Sequence, residues 1–170
     1  MRILLLCDYR SNGPATVLDH IHALQRHTGH DVSMLSMLGD LPDQLDLEQF
    51  DAVILHYSLV IASDSHLAPL ARYRIRKFKG LKAVFIQDEY RWVNRTIDAL
   101  RYLKANLLFT CVPEPEIEKV YPRQRLPGLS KYNVLTGYIT SELTTLNPPS
   151  YDERKVDVGY RARKISAAYG

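Results

Sequence analysis

Gln87, Asp88, Glu89, Tyr90, Arg91 and Trp92 put two carboxylates, a guanidinium and two aromatic rings into one short stretch. Carboxylates accept hydrogen bonds from sugar hydroxyls or act as bases, and an arginine clamps phosphate. Flat rings stack on sugars or bases. The same residues also suit a helix-opening turn in which Asp88 and Glu89 pair with Arg91 or Arg95. A second candidate is His56, followed by Tyr57 and Ser58. A histidine there can move a proton or bind a hydroxyl, or it can be a buried ring satisfied by neighbouring backbone. A third is the turn after Asp8 and Arg10, with Asn12 and Gly13. A glycine at such a turn lets backbone approach a ligand, and a helix N-terminus favours an anion. Equally, Asn12, Gly13 and Pro14 can simply turn the chain. The turn has no GxGxxG spacing, which disfavours a dinucleotide site. The sequence also lacks GxxxxGK followed by Ser or Thr, which excludes a P-loop.

Metal chemistry finds little support. His20 and His22 lie two apart on an expected helix and do not share a face. With His27 and His30 they suggest a metal cluster, but without a shared helical face no metal site is expected. Cys7 and Cys111 are isolated from each other and from histidines, so no zinc site is expected either. Glu114 near a helix start is accounted for by the helix dipole.

All three candidates follow short apolar runs, and those runs set the architecture. Residues 3–7, 31–37, 52–57, 81–87, 107–112 and 132–135 read as strands. Helices are expected at about 14–28, 66–79, 93–106 and 114–121, with Gly29 and Gly80 as stops. Strands alternating with helices imply βαβ units. The expected fold is α/β and doubly wound (Rossmann-like), a mostly parallel sheet of about six strands with helices on both faces. Ligands of such sheets sit at the carboxyl ends of the strands, near the switch in strand order. The Rossmann-like domain is read over residues 1–140 and a linker over 141–154, where Asn147, Pro148, Pro149 and Ser150 fall. Residues 155–160 return to strand character. Segment 155–170 reads as the start of a second domain that is not completed, or as a C-terminal tail.

The 170 residues are 46% hydrophobic and 24% charged, with a formal net charge of +3. That excess is too small to argue for nucleic-acid binding. The apolar run at 3–7 ends at Asp8 and is too short for a signal peptide, and no run is long enough to span a bilayer. With free cysteines near strand ends, the chain reads as cytoplasmic. Arg72, Arg74, Arg76, Lys77 and Lys79 form a basic run. At helical spacing Arg72, Arg76 and Lys79 share one arc. That arc is either a solvated face or a peripheral contact with an anionic membrane. A domain lacking its partner can also self-associate through an exposed apolar cleft.

Several segments resemble the N-terminal half of GT-B-type glycosyltransferases, particularly the retaining enzymes grouped as family 4. The opening residues 1–6, followed by a turn bearing a glycine, look alike. Residues 50–57 are similar to that family's third strand, and residues 86–90 to a polar loop on the acceptor side. Val134, Leu135, Thr136, Gly137, Tyr138 and Ile139 resemble the segment that closes the first domain. Residues 157–163 resemble the opening of the donor domain, with Ala162 where a glycine is expected. The resemblance implies an acceptor-binding half-site lined by Asn12, Gly13, His56, Asp88, Glu89 and Arg91. The acceptor would be a sugar or a lipid-linked sugar. The donor, a nucleotide-sugar, would be held mostly by a second domain, so this chain alone would be inactive. No cofactor is expected in the chain itself.

Other α/β readings fit less well. A response-regulator receiver needs an acidic pair after strand one, an Asp ending strand three and a Lys ending strand five, and none is present. A flavodoxin-like phosphate loop would use the backbone N–H that Pro14 lacks. A stand-alone, non-catalytic Rossmann-like binding or interaction module remains the alternative. The state of residues 156–160 bears on that choice. A detached strand there favours the two-domain reading, and a strand docked on the sheet favours the stand-alone one.

Overall fold

The computed structural model describes residues 1–135 and 138–160. Among these the chain divides into two units, Met1–Tyr138 and Ile139–Gly170. The first holds a six-stranded sheet. Its strands are β1 (Arg2–Cys7), β2 (Asp31–Ser36), β3 (Ala52–Leu55), β4 (Leu81–Ile86), β5 (Leu107–Thr110) and β6 (Ser130–Asn133). The order is β2-β1-β3-β4-β5-β6 and every pairing is parallel. This is the doubly wound α/β arrangement expected from the sequence. The strand order reverses between β1 and β3, so the ligand-binding crevice of such a sheet belongs beside their carboxyl ends.

β1 explains why helices lie on both faces. Successive side chains of a strand point to opposite faces. Leu4 and Leu6 join a core with Ile75 and Leu100, from helices α2 (Pro69–Lys77) and α3 (Val93–Leu103). Leu5 and Cys7 instead pack with Ile21 of helix α1 (Ala15–His27). On α3, Thr96, Ile97, Ala99, Leu100 and Leu103 are buried, the broad stripe of a helix laid on a sheet.

Some boundaries differ from the sequence expectation. α2 begins at Pro69 rather than at residue 66, because the residue before a proline avoids helical backbone. Ala68 accordingly has ψ 159°. α3 stops at Leu103 because Lys104 turns left-handed (φ 55°). Residues 114–121 form a 3₁₀ turn (Glu114–Glu116) followed by the short helix α4 (Ile117–Val120). β6 pairs over Ser130–Asn133, two residues earlier than expected.

The long β2–β3 connection has no regular helix beyond a 3₁₀ turn at Leu47–Gln49. One guanidinium holds it in place. Arg74 of α2 donates to the carbonyls of Leu41 (3.2 Å), Pro42 (2.9 Å) and Leu45.

The second unit contains helix α5 (Ser141–Thr144) and a 3₁₀ turn at Tyr151–Glu153. Ser150 and Glu153 close that turn reciprocally as a capping box. The strand expected over 155–160 is not formed. Val156, Val158 and Tyr160 alternate as strand residues would, but Val158 is 89% exposed and Tyr160 93%. A strand needs a neighbour to satisfy its backbone, and none pairs with this segment among the described residues. The segment therefore favours neither of the two readings that its strand was to separate. Thr136, Gly137 and residues 161–163, part of the resemblance drawn above, lie outside the described residues.

The basic arc is also corrected. The Arg72 side chain is only 16% exposed and bridges Asp64 at 2.6 Å. Arg76 lies over the Tyr102 ring, 4.7 Å from its centroid. Lys79 is exposed and falls beyond the end of α2. The three do not make one solvated stripe, because Arg72 turns to Asp64 and the Ile61 carbonyl ahead of α2 and Arg76 turns to Tyr102 of α3. No helix among the described residues is long and apolar enough to cross a membrane.

Candidate functional site

Two pockets open at the carboxyl ends of the strands. The first, about 230 Å³, lies at the β1/β3 switch and is lined by Asp8, Arg10, Gly13 and Ser58 among others. Arg10 bridges Asp8 at 3.0 Å. Gly13 donates its N–H to the Arg10 carbonyl at 2.8 Å, and a Cβ there would sit 2.9 Å from that oxygen. The glycine is thus required by the turn itself. Asn12 is exposed on the same turn.

The second pocket, about 120 Å³, lies past β3 and β4. Tyr57, Phe85, Asp88, Arg91 and Trp92 are among its walls. Asp88 is exposed and Arg91 half-buried. Trp92 has left-handed backbone (φ 52°, ψ 32°), a conformation that is uncommon for bulky side chains. It remains 46% exposed. Arg91 and Arg95 place guanidiniums 4.5 and 5.2 Å from its ring. Strained backbone that presents an exposed ring at a strand end is an arrangement associated with ligand contact.

The strain is measurable. Trp92→Gly relieves it but loses two cation–π contacts, whereas Trp92→Ala loses the contacts and keeps the strain. The glycine variant should therefore be the more stable of the two by about 1 kcal/mol in urea unfolding. Equal stability of the two would mean that the left-handed backbone costs nothing.

The six residues singled out from the sequence do not share one crevice. Gly13 lines the first pocket, with Asn12 beside it, while Asp88 and Arg91 line the second. Glu89 turns toward β5, where it accepts from the Thr110 hydroxyl (2.5 Å) and the Cys111 N–H (3.0 Å). It ties the β4 loop to the end of β5 and makes no ion pair with Arg91 or Arg95 among the described residues.

His56 does not line a crevice either. It is completely buried, and both ring nitrogens are engaged. The Ser58 backbone N–H points to its Nδ1 at 3.1 Å. A backbone N–H can only donate, so Nδ1 carries no proton, and the Ser58 hydroxyl also donates to it at 2.9 Å. The ring proton therefore sits on Nε2 and is donated to Nδ1 of His20, 2.9 Å away. His20 must then hold its own proton on Nε2.

Burial, and secondly the neighbouring His20, push the His56 pKa down to about 3. Burial lowers that of His20 as well. A histidine so depressed is a poor base near neutral pH. Its role is to fix Ser58, whose hydroxyl accepts the Asp8 N–H at 2.9 Å and so joins the ends of β1 and β3.

The His20–His56 pair was missed in the sequence because 36 positions separate the two rings. Tyr57 and Phe85 were missed as lining residues because their alternation reads equally well as core. The thiols are quiet. Burial, then Asp8, raises Cys7 to about 11, and burial first among several causes raises Cys111. Among the described residues no cluster of His, Cys, Asp and Glu is arranged to hold a metal ion.

The fold and these pockets define a doubly wound, Rossmann-like α/β protein. Comparison with family models, curated proteins and solved structures gave no match.

Proposed function

We infer that the second pocket binds a hydroxyl-rich ring ligand as the acceptor side of a glycosyl transfer. In the complete reaction a sugar would pass from a nucleotide-sugar to an acceptor hydroxyl, with the donor held by a partner domain of the GT-B kind. The observation that carries this reading is the pairing of Trp92 with Asp88 across one pocket at the carboxyl ends of β3 and β4. An exposed indole offers a stacking face for the apolar side of a sugar ring. A carboxylate beside it accepts from two hydroxyls at once.

Trp92 is the sole tryptophan, so its emission reports the pocket directly. Titration with a panel of methyl glycosides should shift that emission with a dissociation constant of about 1 mM or tighter for at least one sugar. Asp88→Asn, at an exposed position, should weaken the response about tenfold and leave the melting temperature unchanged, since losing a charge-assisted bond costs roughly 1.5 kcal/mol. Emission that stays constant with every glycoside removes the acceptor reading.

A second reading is a binding module without chemistry. The observation favouring it is His56, which follows β3 but is buried away from both pockets, held neutral and bonded on both sides. The two readings share the ligand and differ in turnover. Mixing the chain with a candidate donor domain and a nucleotide-sugar separates them.

A further inference from the structure

Helices α2 and α3 pack side by side on one face of the sheet, and a groove of about 690 Å³ runs between them. Arg72 and Arg76 of α2 line it, as do Arg95 and Arg101 of α3 and Lys104 at the end of α3. The carboxylates lining it are Asp64 and Asp98. Five cations against two carboxylates leave a local excess of three positive charges in the groove.

The two acids are already committed. Asp64 bridges Arg72 at 2.6 Å, and Asp98 bridges Arg101 at 2.9 Å and Arg125 at 3.4 Å. Arg76, Arg95 and Lys104 make no ion pair among the described residues. The guanidiniums of Arg76 and Arg95 are instead oriented by carbonyls and rings. Arg76 donates to the Tyr102 carbonyl at 3.2 Å and lies over the Tyr102 ring. Arg95 donates to the Ala62 carbonyl at 3.1 Å and lies over Trp92. Such bonds use one or two of the five N–H groups of each guanidinium and hold the remainder in a fixed direction. Among the described residues, Nη2 of Arg72 is a buried donor with no partner at all.

We propose that the α2–α3 groove is a binding site for a diphosphate-type anion, held by Arg76, Arg95, Arg101 and Lys104. The reasons are charge and pre-orientation. Like charges gathered in one concavity repel, and an anion relieves that repulsion. Planar guanidiniums already fixed by carbonyls bind phosphate oxygens in pairs. The site is independent of the glycosyl-transfer reading, since it involves neither Asp88 nor the strand-end pocket. It does touch that pocket at one point, where Arg95 rests on Trp92.

Inorganic pyrophosphate titrated into the full chain tests the site, read by calorimetry and by Trp92 emission. Saturable binding with a dissociation constant below about 1 mM is expected. Arg76→Ala and Arg101→Ala should each weaken it about tenfold, and Lys79→Ala, outside the groove, should leave it unchanged. If Arg76→Ala lowers the melting temperature, Lys104→Gln at the exposed helix end carries the same expectation. Sedimentation with phosphatidylcholine vesicles, with and without phosphatidic acid, separates a free phosphate from a lipid headgroup. Binding to the acidic vesicles alone, lost in the same variants, supports the groove with a headgroup as its source. Absence of binding to both probes, or binding that survives Arg76→Ala together with Arg101→Ala, overturns the proposal.

Discussion

Acidification from about pH 7.5 to about 4.5 will weaken the fold by about 3 kcal/mol through His56 alone. The native ring resists protonation down to about pH 3, because it is buried and faces His20. In the unfolded chain it titrates at its ordinary value near 6.5. Between those two values the unfolded state binds the extra proton, so stability falls as pH falls. Above 6.5 both states are neutral and the contribution is flat. The groups around the ring do not offset this. His20 is itself lowered, Tyr57 is neutral in this range, and the Ser58 hydroxyl and backbone supply only uncharged bonds. His56→Gln keeps a donor toward His20 and cannot titrate. Unfolding free energies from urea titrations at a series of pH values should therefore fall less steeply for this variant than for the parent, by about 1.4 kcal/mol per pH unit below 6.5. Parallel curves would show that the native ring accepts a proton as readily as the unfolded one.

Gly80→Ala will be the most damaging single methyl addition in the α2–β4 connection, at about 3 kcal/mol. The reason is lack of space rather than left-handed backbone. A Cβ at residue 80 would lie 2.5 Å from the Asp51 carbonyl oxygen and 2.2 Å from the Phe78 ring. The ring could shift, but it is buried in the core under α2. The carbonyl cannot, because it accepts the Leu81 N–H at 3.0 Å and so starts the β3–β4 pairing. Buried Lys82 tightens the same corner by donating to the Phe78 carbonyl at 2.8 Å. Thermal unfolding checks the prediction. Gly29→Ala is the informative comparison, since Gly29 has φ 67° and open space around it. Its cost should be only the roughly 1 kcal/mol of a left-handed alanine.

The strands were legible because each is a short apolar run, and β1 even shows its burial on both faces. Gly29 marked a helix end through its own backbone freedom, whereas the restriction that Pro69 places on Ala68 was passed over when the second helix was read from residue 66. Trp92 and Lys104 marked no end, since a left-handed tryptophan or lysine is imposed by packing and leaves no local signature. The strand-end positions of Asn12, Gly13, Asp88 and Arg91 followed from the rule for parallel sheets. What His56 and Glu89 do there did not follow, because their partners His20, Thr110 and Cys111 are distant in sequence. The groove was hidden for the same reason. Arg72 and Arg76 were visible as a basic helix face, but the cations of α3 that complete the groove meet them only once both helices lie on the sheet. The strand pattern at residues 156–160 shows the opposite failure, a correct local alternation with no neighbour to pair with.

The parallel sheet also decides how the molecule should be held in an experiment. All six strands run the same way, so Met1, just before β1, stands at the edge opposite the two strand-end pockets. β1 alone sets that separation at roughly 20 Å. A biotin or a surface linker attached at the amino terminus would leave both pockets facing the solvent. The same tether on a residue of the β4–α3 loop would cover Trp92.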